Sequence, residues 1–263
     1  MKRALRLMRL FLGASLSAQL EYRANFIGSV LAAIGEALTA LLGLSLIFSR
    51  PEIKTLGGWT LPEAVIVAGF FMLTQGVIAT AFQPNLSKIA EGVRTGSMDF
   101  NLLKPIDAQF LVSTRNINFL RSIDVALGLG IIAWGVAQLG GVTILGAATA
   151  AALYVSALLM VYAIWFMLST TAFWFVKVEN VTALFDGVFG VGRYPIQAFP
   201  AWLRPALTFV VPVALITTVP AQALTGRLTW TLALASPVIA ALLLVLARAL
   251  WVRALASYTS ASS

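Results

Sequence analysis

The feature that most constrains this chain is a series of uninterrupted apolar runs, each long enough to cross a membrane. A helix needs roughly 20 apolar residues to span the hydrocarbon layer, and 60% of this chain is hydrophobic while only 11% is charged. The runs are continuous rather than alternating with a period of two, which favours helices over a β-barrel. We therefore predict an all-α membrane protein, one transmembrane domain over 1–263, with six spans at 25–48, 61–82, 119–139, 142–175, 181–198 and 229–251.

The distribution of lysine and arginine predicts the orientation of these spans. With the amino terminus inside, the outer segments hold only five of the 18 basic residues, namely Arg50, Lys54, Arg193, Arg204 and Arg227. Cytoplasmic segments carry such an excess in membrane proteins, so we predict that both termini and the 85–118 connector are cytoplasmic. The net charge of +8 is then expected to face anionic membrane lipids rather than nucleic acid.

Residues 1–23 are predicted to form an interfacial helix on the cytoplasmic face. Basic residues alternate there with apolar residues at helical spacing, a pattern typical of helices that lie on a membrane surface. A cleaved signal peptide fits less well, because Glu21-Tyr22-Arg23 stands where small residues would be needed for cleavage.

The first span carries a stripe of small residues at intervals of three or four: Gly28, Ala32, Gly35, Thr39 and Gly43. Such stripes allow close packing of two helices, within a subunit or between subunits. Glu36 lies beside the stripe, near the middle of the bilayer. A carboxylate at that depth costs several kcal/mol unless it is protonated or paired, so Glu36 is either a structural hydrogen-bonding group or a functional one.

Polar residues return in the connector between the second and third spans. The second span should start with Pro62 and Glu63 in its first turn and end at Pro84, with Asn85 capping a helix over 86–93. Breaks at 95–97 and 104–105 then predict two short amphipathic helices on the membrane surface. A solvated loop is the alternative, but the connector's apolar residues need cover: Ile89, Val93, Met98, Phe100, Leu102, Leu103 and Ile106.

The segment before the last span is interrupted by proline at intervals of seven or eight residues: Pro200, Pro205, Pro212 and Pro220. We predict that 199–226 forms short re-entrant outer helices, since broken helices are tolerated at membrane depth when other protein covers them. In the third span, Asp124 can reach Arg121 three residues earlier, which predicts a local ion pair.

Several kinds of chemistry are excluded by residue content. The chain has no cysteine and no histidine, which removes thiolate catalysis, the usual zinc sites and the commonest general base. It also has no GxxxxGK[ST] phosphate-binding loop. We expect no metal or cofactor in this chain and no enzymatic activity.

Two stretches resemble permease subunits of type-2 ABC exporters. EGVRTGSMDFNLLKP at 91–105 resembles the cytoplasmic connector of one bacterial branch, and RYPIQAFPAWLRPALTFVVPVALITTVPAQALTG at 193–226 resembles its segment between spans five and six. The resemblance implies an assembly of two permeases and two ABC ATPase subunits in the bacterial cytoplasmic membrane, with ATP and Mg²⁺ on the ATPases. It also implies a cytoplasmic coupling helix between spans two and three, and leaves open whether the second permease is identical or related.

The resemblance assigns ATPase coupling to twelve connector residues: Leu86, Ile89, Glu91, Gly92, Arg94, Gly96, Met98, Asp99, Phe100, Leu103, Lys104 and Pro105. Helix packing or the transport path is expected at Asp186, at Glu36 and at the small-residue stripe. The expected function is export of an amphipathic or lipid-like substrate. Two alternatives remain at this point, a secondary transporter using Glu36 or Asp186, which predicts acid clusters and inverted repeats, and an intramembrane enzyme using an aspartate pair.

Overall fold

The computed structural model of the protein describes Gly13, Ser15 and residues 23–175 and 187–258. This part is helical and contains no β-strand, which confirms the predicted all-α class. The helices are α1 (Arg23–Phe48), α2 (Leu61–Thr95), α3 (Asp99–Leu102), α4 (Ala108–Thr114), α5 (Phe119–Gln138), α6 (Ile144–Phe173), α7 (Ala214–Leu224) and α8 (Trp230–Ser257).

Five of these helices, α1, α2, α5, α6 and α8, are long and apolar enough to cross a membrane. They correspond to five of the six predicted spans. Of the predicted fifth span, residues 181–186, with Asp186, lie outside the described residues. Residues 187–189 are helical, and two single turns of 3-10 helix follow, Gly190–Arg193 and Ile196–Ala198. Apart from Gly13, Ser15 and Arg23, the predicted interfacial helix over 1–23 also lies outside the described part.

The centre of the subunit is α2, which packs most extensively against α5. Glycines allow the two backbones to touch. A Cβ added at Gly128 would lie 2.5 Å from the backbone nitrogen of Leu73, and one added at Gly76 would lie 2.6 Å from that of Val125. No side chain fits in these gaps, so glycine is required for the two helices to pack at this distance.

The predicted small-residue stripe of α1 is not part of this contact between α2 and α5. Within the described residues, a Cβ added at Gly28 or Gly35 would meet nothing within 4 Å. The buried face of α1 instead consists of Ala33, Ala37 and Leu44. Four of the five stripe residues are therefore left exposed by the described part of the subunit, while Gly43 is half-buried near the Tyr194 hydroxyl. The role of the exposed residues in helix packing stays a prediction for a partner chain.

The prediction that the helix of the second span stops at Pro84 is wrong, because α2 continues to Thr95. Proline lacks an N–H, so it cannot donate to the carbonyl one turn earlier and normally interrupts a helix. Here the turn Ile78–Phe82 widens into a π-helix, and the backbone N–H of Asn118 donates to the carbonyl of Thr80 at 2.8 Å. A residue far along the chain thus supplies the donor that Pro84 lacks.

At the opposite end, α2 begins with a capping box. The carboxylate of Glu63 accepts from the backbone N–H of Thr60 at 2.7 Å and from its hydroxyl at 2.9 Å. The same buried carboxylate pairs with Arg227, whose Nε lies 2.8 Å from Oε1. Arg227 also donates to the carbonyl of Gly58 at 2.8 Å. The start of α2 is thereby fixed to the loop that precedes α8.

The segment that leads to Arg227 also begins beside the loop at the start of α2. Trp59 donates from Nε1 to Oε1 of Gln197 at 2.9 Å, and the absence of a side chain at Gly57, where φ is +60°, lets the backbone of Gln197 pack against it. Between Gln197 and Arg227 lies α7, whose 11 residues measure about 16 Å. This is half of the roughly 30 Å needed to cross a bilayer.

Candidate functional site

The connector folds back on the end of α2 through a glycine turn. Gly96 adopts φ +72°, the left-handed conformation that ends many helices. The N–H of Met98 then donates to the carbonyl of Gly92 at 3.0 Å, which places α3 across the tip of α2. The chain continues through α4 and returns to the membrane at α5.

Burial divides the predicted coupling residues into two groups. Leu86, Ile89 and Met98 are each only 1% exposed, and they belong to the main hydrophobic core. Gly92 is buried beneath Met98. The amphipathic face of α2 thus packs inward on its own subunit, where these residues support the connector. Their part in ATPase coupling stays a prediction.

The second group is exposed. Phe100 is 72% and Leu103 is 81% exposed, and Leu102 beside them is also exposed. We call Phe100, Leu102 and Leu103 the docking surface. Large apolar side chains grouped at the tip of a connector are typical of a protein interaction site. Around them lie the other predicted coupling residues: exposed Glu91, Arg94, Lys104 and Pro105, and half-buried Gly96 and Asp99.

A groove of about 510 Å³ runs beside the docking surface, between α2, α3 and α4. Its floor includes Ile89 and Met98, and its charged lining is formed by Lys88, Glu91, Lys104 and Arg115. Three of these four charges are positive. An acidic segment of a partner would complement the groove electrostatically.

A pair of asparagines joins the two ends of the connector. Buried Asn85 donates from Nδ2 to the carbonyl of Asn116 at 2.6 Å and accepts the N–H of Asn116 at 2.8 Å. The prediction that Asn85 caps a helix is wrong, since it lies inside α2. Its buried amide instead fixes α2 to the chain entering α5.

The connector is also fixed to α8 and α6. An oxygen of Asp107 lies 2.9 Å from Nη2 of Arg248, and Nη1 of Arg248 donates to Gln109 at 2.9 Å. Ser113 and Tyr162 share a hydrogen bond of 2.9 Å. Since Asp107 also caps α4 by accepting from the N–H of Phe110, this side chain joins the start of α4 to α8.

Ionisation of Asp107 reflects these contacts. Partial burial tends to raise the pKa of the carboxyl group, but the hydrogen bond from Phe110 and the pairing with Arg248 outweigh it and lower the pKa below 3.8. A carboxylate whose pKa is lower in the folded protein stabilises the fold at pH values above its ordinary pKa. This stabilisation is lost as the pH falls through the lowered pKa. The contact between α4 and α8 is therefore intact at neutral pH.

The end of α8 meets α3. Burial raises the pKa of the Tyr258 phenol, and the carboxylate of Asp99 raises it further. Tyr258 also packs edge to face on Phe173 of α6, with ring centroids 5.4 Å apart. The docking surface thus rests on a connector that contacts α2, α5, α6 and α8.

Comparison with protein families identifies this architecture. A model described as the ABC-2 family transporter protein matches residues 34–262. The chain belongs to the ABC-2 transporter family. No curated protein and no solved structure matches the chain. An ABC-2 protein is the membrane subunit of an ABC transporter, generally non-catalytic, and family membership implies association with ABC ATPase subunits.

The other sequence predictions can now be located on this ABC-2 permease. Asp124 pairs with Arg121 at 3.6 Å, as predicted. Glu36 is exposed on the same side of α1 as the small-residue stripe. Among the described residues, no three acidic side chains gather, so the acid cluster that a secondary transporter would need is not found in this part of the chain. The bridge between Asn85 and Asn116 was not predicted from the sequence, because it joins residues far apart in the chain.

Proposed function

We propose that this chain is the permease subunit of an ATP-driven exporter, and that separate ATPase subunits bind it at the docking surface. The observation that carries the proposal is the exposure of Phe100 and Leu103 on a connector whose other large apolar residues, apart from Leu102 beside them, are buried or half-buried. Apolar side chains of this size at one tip gain most from burial in a partner's groove. Hydrolysis of ATP, with its Mg²⁺, takes place on the partner.

The hydrogen bonds and ion pair that hold the connector support a route by which movement of the ATPases reaches the membrane spans. A push on α3 reaches α2 and α5 through Asn85 and Asn116. It reaches α8 through Asp107 and Arg248. Short hydrogen-bonded and packed elements transmit displacement better than a loose loop. Closure of two ATPases around ATP would therefore reorient several spans together.

The exposed stripe on α1 supports pairing with a second permease, identical or related. Small residues allow a helix of another chain to approach closely, and the described part of the subunit leaves Gly28, Gly35 and Thr39 exposed. The transport path would lie between the two chains, beside α1 and α2. Its apolar walls suit an amphipathic or lipid-like substrate.

The contacts of 197–227 support a re-entrant segment. Both ends contact the same loop at the start of α2, through Trp59 with Gln197 and Glu63 with Arg227. Between them, α7 is buried and too short to cross the bilayer. We propose that this segment dips into the outer leaflet and returns.

Purification tests the function directly. We expect a tagged copy, extracted from its native membrane in mild detergent, to retain an ABC ATPase and a second permease chain. ATP hydrolysis by this assembly should require Mg²⁺ and should be absent from the isolated chain, which has no phosphate-binding loop. Transport by the chain in vesicles without any ATPase, driven by an ion gradient, would contradict the proposal and support the secondary transporter.

The orientation can be tested because the chain has no native cysteine. Exposed Ser97 lies beside the docking surface and exposed Lys54 lies in the loop between α1 and α2. In intact cells, a membrane-impermeant maleimide should label Lys54→Cys but not Ser97→Cys. After the cells are opened, both variants should react. Labelling of Ser97→Cys from outside would reverse the proposed cytoplasmic position of the connector and of both termini in the inner membrane.

A further inference from the structure

A small cavity lies in the middle of the membrane-spanning region, where α1, α2 and α5 meet the Gly190–Arg193 turn. Its volume is about 240 Å³, and its lining includes Glu36, Leu41, Ala68, Met72, Ile131 and Arg193. Glu36 lies midway along α1, and Phe71, beside the cavity, lies midway between Leu61 and Phe82. Two charges of opposite sign therefore line an otherwise apolar cavity at this depth.

Arg193 is held by contacts that include no acidic side chain among the described residues. Its Nε donates to the carbonyl of Gly190 at 3.1 Å, and its guanidinium lies over the ring of Phe71, 5.4 Å from the centroid. Gly192 allows this approach, because a side chain there would collide with Val213. The ion pairs found in the described part of the chain do not include Arg193.

Glu36 is likewise unpaired among the described residues. It does not form an ion pair with Arg193, although both line the same cavity. Unpaired charges at membrane depth are expensive and normally mark a functional site with a specific partner. A ligand carrying a cationic and an anionic group would neutralise both side chains at once.

The size of the cavity restricts that ligand. Sites for whole small molecules usually measure roughly 300–1,000 Å³, so about 240 Å³ suits a compact charged group rather than an entire lipid. Glu36 is exposed, and the small residues Ala32 and Thr39 flank it on α1. The cavity therefore opens on the side where an attached apolar chain could lie along the stripe.

We propose that this cavity binds a zwitterionic group of the transported substrate, with its cation against Glu36 and its anion against Arg193. The inference rests on the proposed function, because it names the chemistry of the cargo. A phospholipid headgroup and a free zwitterion share this chemistry. In a resting bilayer the headgroup lies at the surface, so occupancy at this depth would belong to a transport step.

Displacement of a fluorescent phosphatidylcholine from the purified assembly in detergent tests the proposal. Unlabelled phosphatidylcholine should compete at least about tenfold better than phosphatidylglycerol or diacylglycerol, the factor expected when one charge-assisted hydrogen bond is lost. Glu36→Gln should remove the preference over anionic phosphatidylglycerol. Arg193→Gln should reduce the preference over uncharged diacylglycerol without removing it, because the contact of the choline cation with Glu36 remains. Free phosphocholine is a further competitor, which has the charged groups but no acyl chains. It should displace the probe if the site binds a soluble zwitterion, and should fail to do so if the site binds a lipid headgroup together with its chains.

Glu52→Gln and Arg50→Gln are matched controls, since both residues are exposed in the loop between α1 and α2. They should keep the wild-type preferences. Equal competition by all three lipids in the wild type, or unchanged preferences in both cavity variants, would overturn the proposal. ATPase co-purification with the same samples separates the two hypotheses: a retained ATPase without charge preference would refute the zwitterion site and leave the proposed function standing.

Discussion

Replacing Gly128 with alanine is expected to destabilise the subunit by about 1 to 3 kcal/mol, the usual cost of overpacking a close contact. The added Cβ would lie 2.5 Å from the backbone nitrogen of Leu73 and 2.6 Å from its Cα. These are backbone atoms, so no rotamer change can relieve the collision. The helices α2 and α5 would have to separate, and with them the packing around the centre of the subunit. Leucine at this position should lower membrane abundance as well.

Gly130 provides the matched control on the same helix. A Cβ added there would meet nothing within 4 Å, so Gly130→Ala and Gly130→Leu should leave stability nearly unchanged. The measurement is the temperature at which half of the detergent-solubilised protein remains monodisperse. Equal melting of the Gly128 and Gly130 variants would show that α2 and α5 do not pack through these glycines.

This contact also shows what hydropathy could and could not predict. Apolar length alone located five helices long enough to span the membrane, because the cost of exposing backbone polar groups to lipid leaves few alternatives. Small-residue spacing did not identify the packed faces. Gly28 and Gly35 on α1 have the same spacing as Gly69 and Gly76 on α2. Only the pair on α2 packs against another helix within the described subunit. Which stripe is used depends on the partner helix.

Pro84 illustrates a second limit. Local rules end a helix near proline because its carbonyl partner loses a donor. In this chain the donor for Thr80 comes from Asn118, more than 30 residues later. Asn85 likewise bonds across to Asn116, as well as back to Ala81 within α2, instead of capping a helix. Both corrections arise from contacts between distant residues, which a local pattern does not contain.

The sequence predicted that the connector binds a partner, but it did not show which face of the connector would do so. Helical spacing places Leu86 and Ile89 on one side of α2 without showing whether that side meets the subunit or a partner. The structure buries that side, and the glycine turn at Gly96 then directs Met98 inward and Phe100 outward. One turn in the left-handed region therefore decides which residues can bind a partner.

Replacing Phe100 and Leu103 together with serine is expected to abolish ATPase co-purification while leaving the permease in the membrane. Each side chain contributes about 1.5–3 kcal/mol when fully buried in a partner, so their joint loss should weaken binding by a factor of about 100 or more. Both are largely exposed in the free subunit, which is why insertion and melting temperature should not change. The measurement is recovery of the ATPase per permease in mild detergent.

Two further variants give this prediction its specificity. Met98→Ser changes a neighbouring residue that is buried in the subunit, so it should lower stability and abundance before it affects docking. Trp202→Ser removes an equally exposed apolar side chain from the segment before α8, which we place on the outer side, and should leave ATPase recovery intact. Wild-type recovery with the Phe100 and Leu103 double variant would mean that the ATPase binds elsewhere, with the charged groove beside α3 as the next site to test. Equal loss with all three variants would trace the effect to folding of the permease rather than to a docking contact.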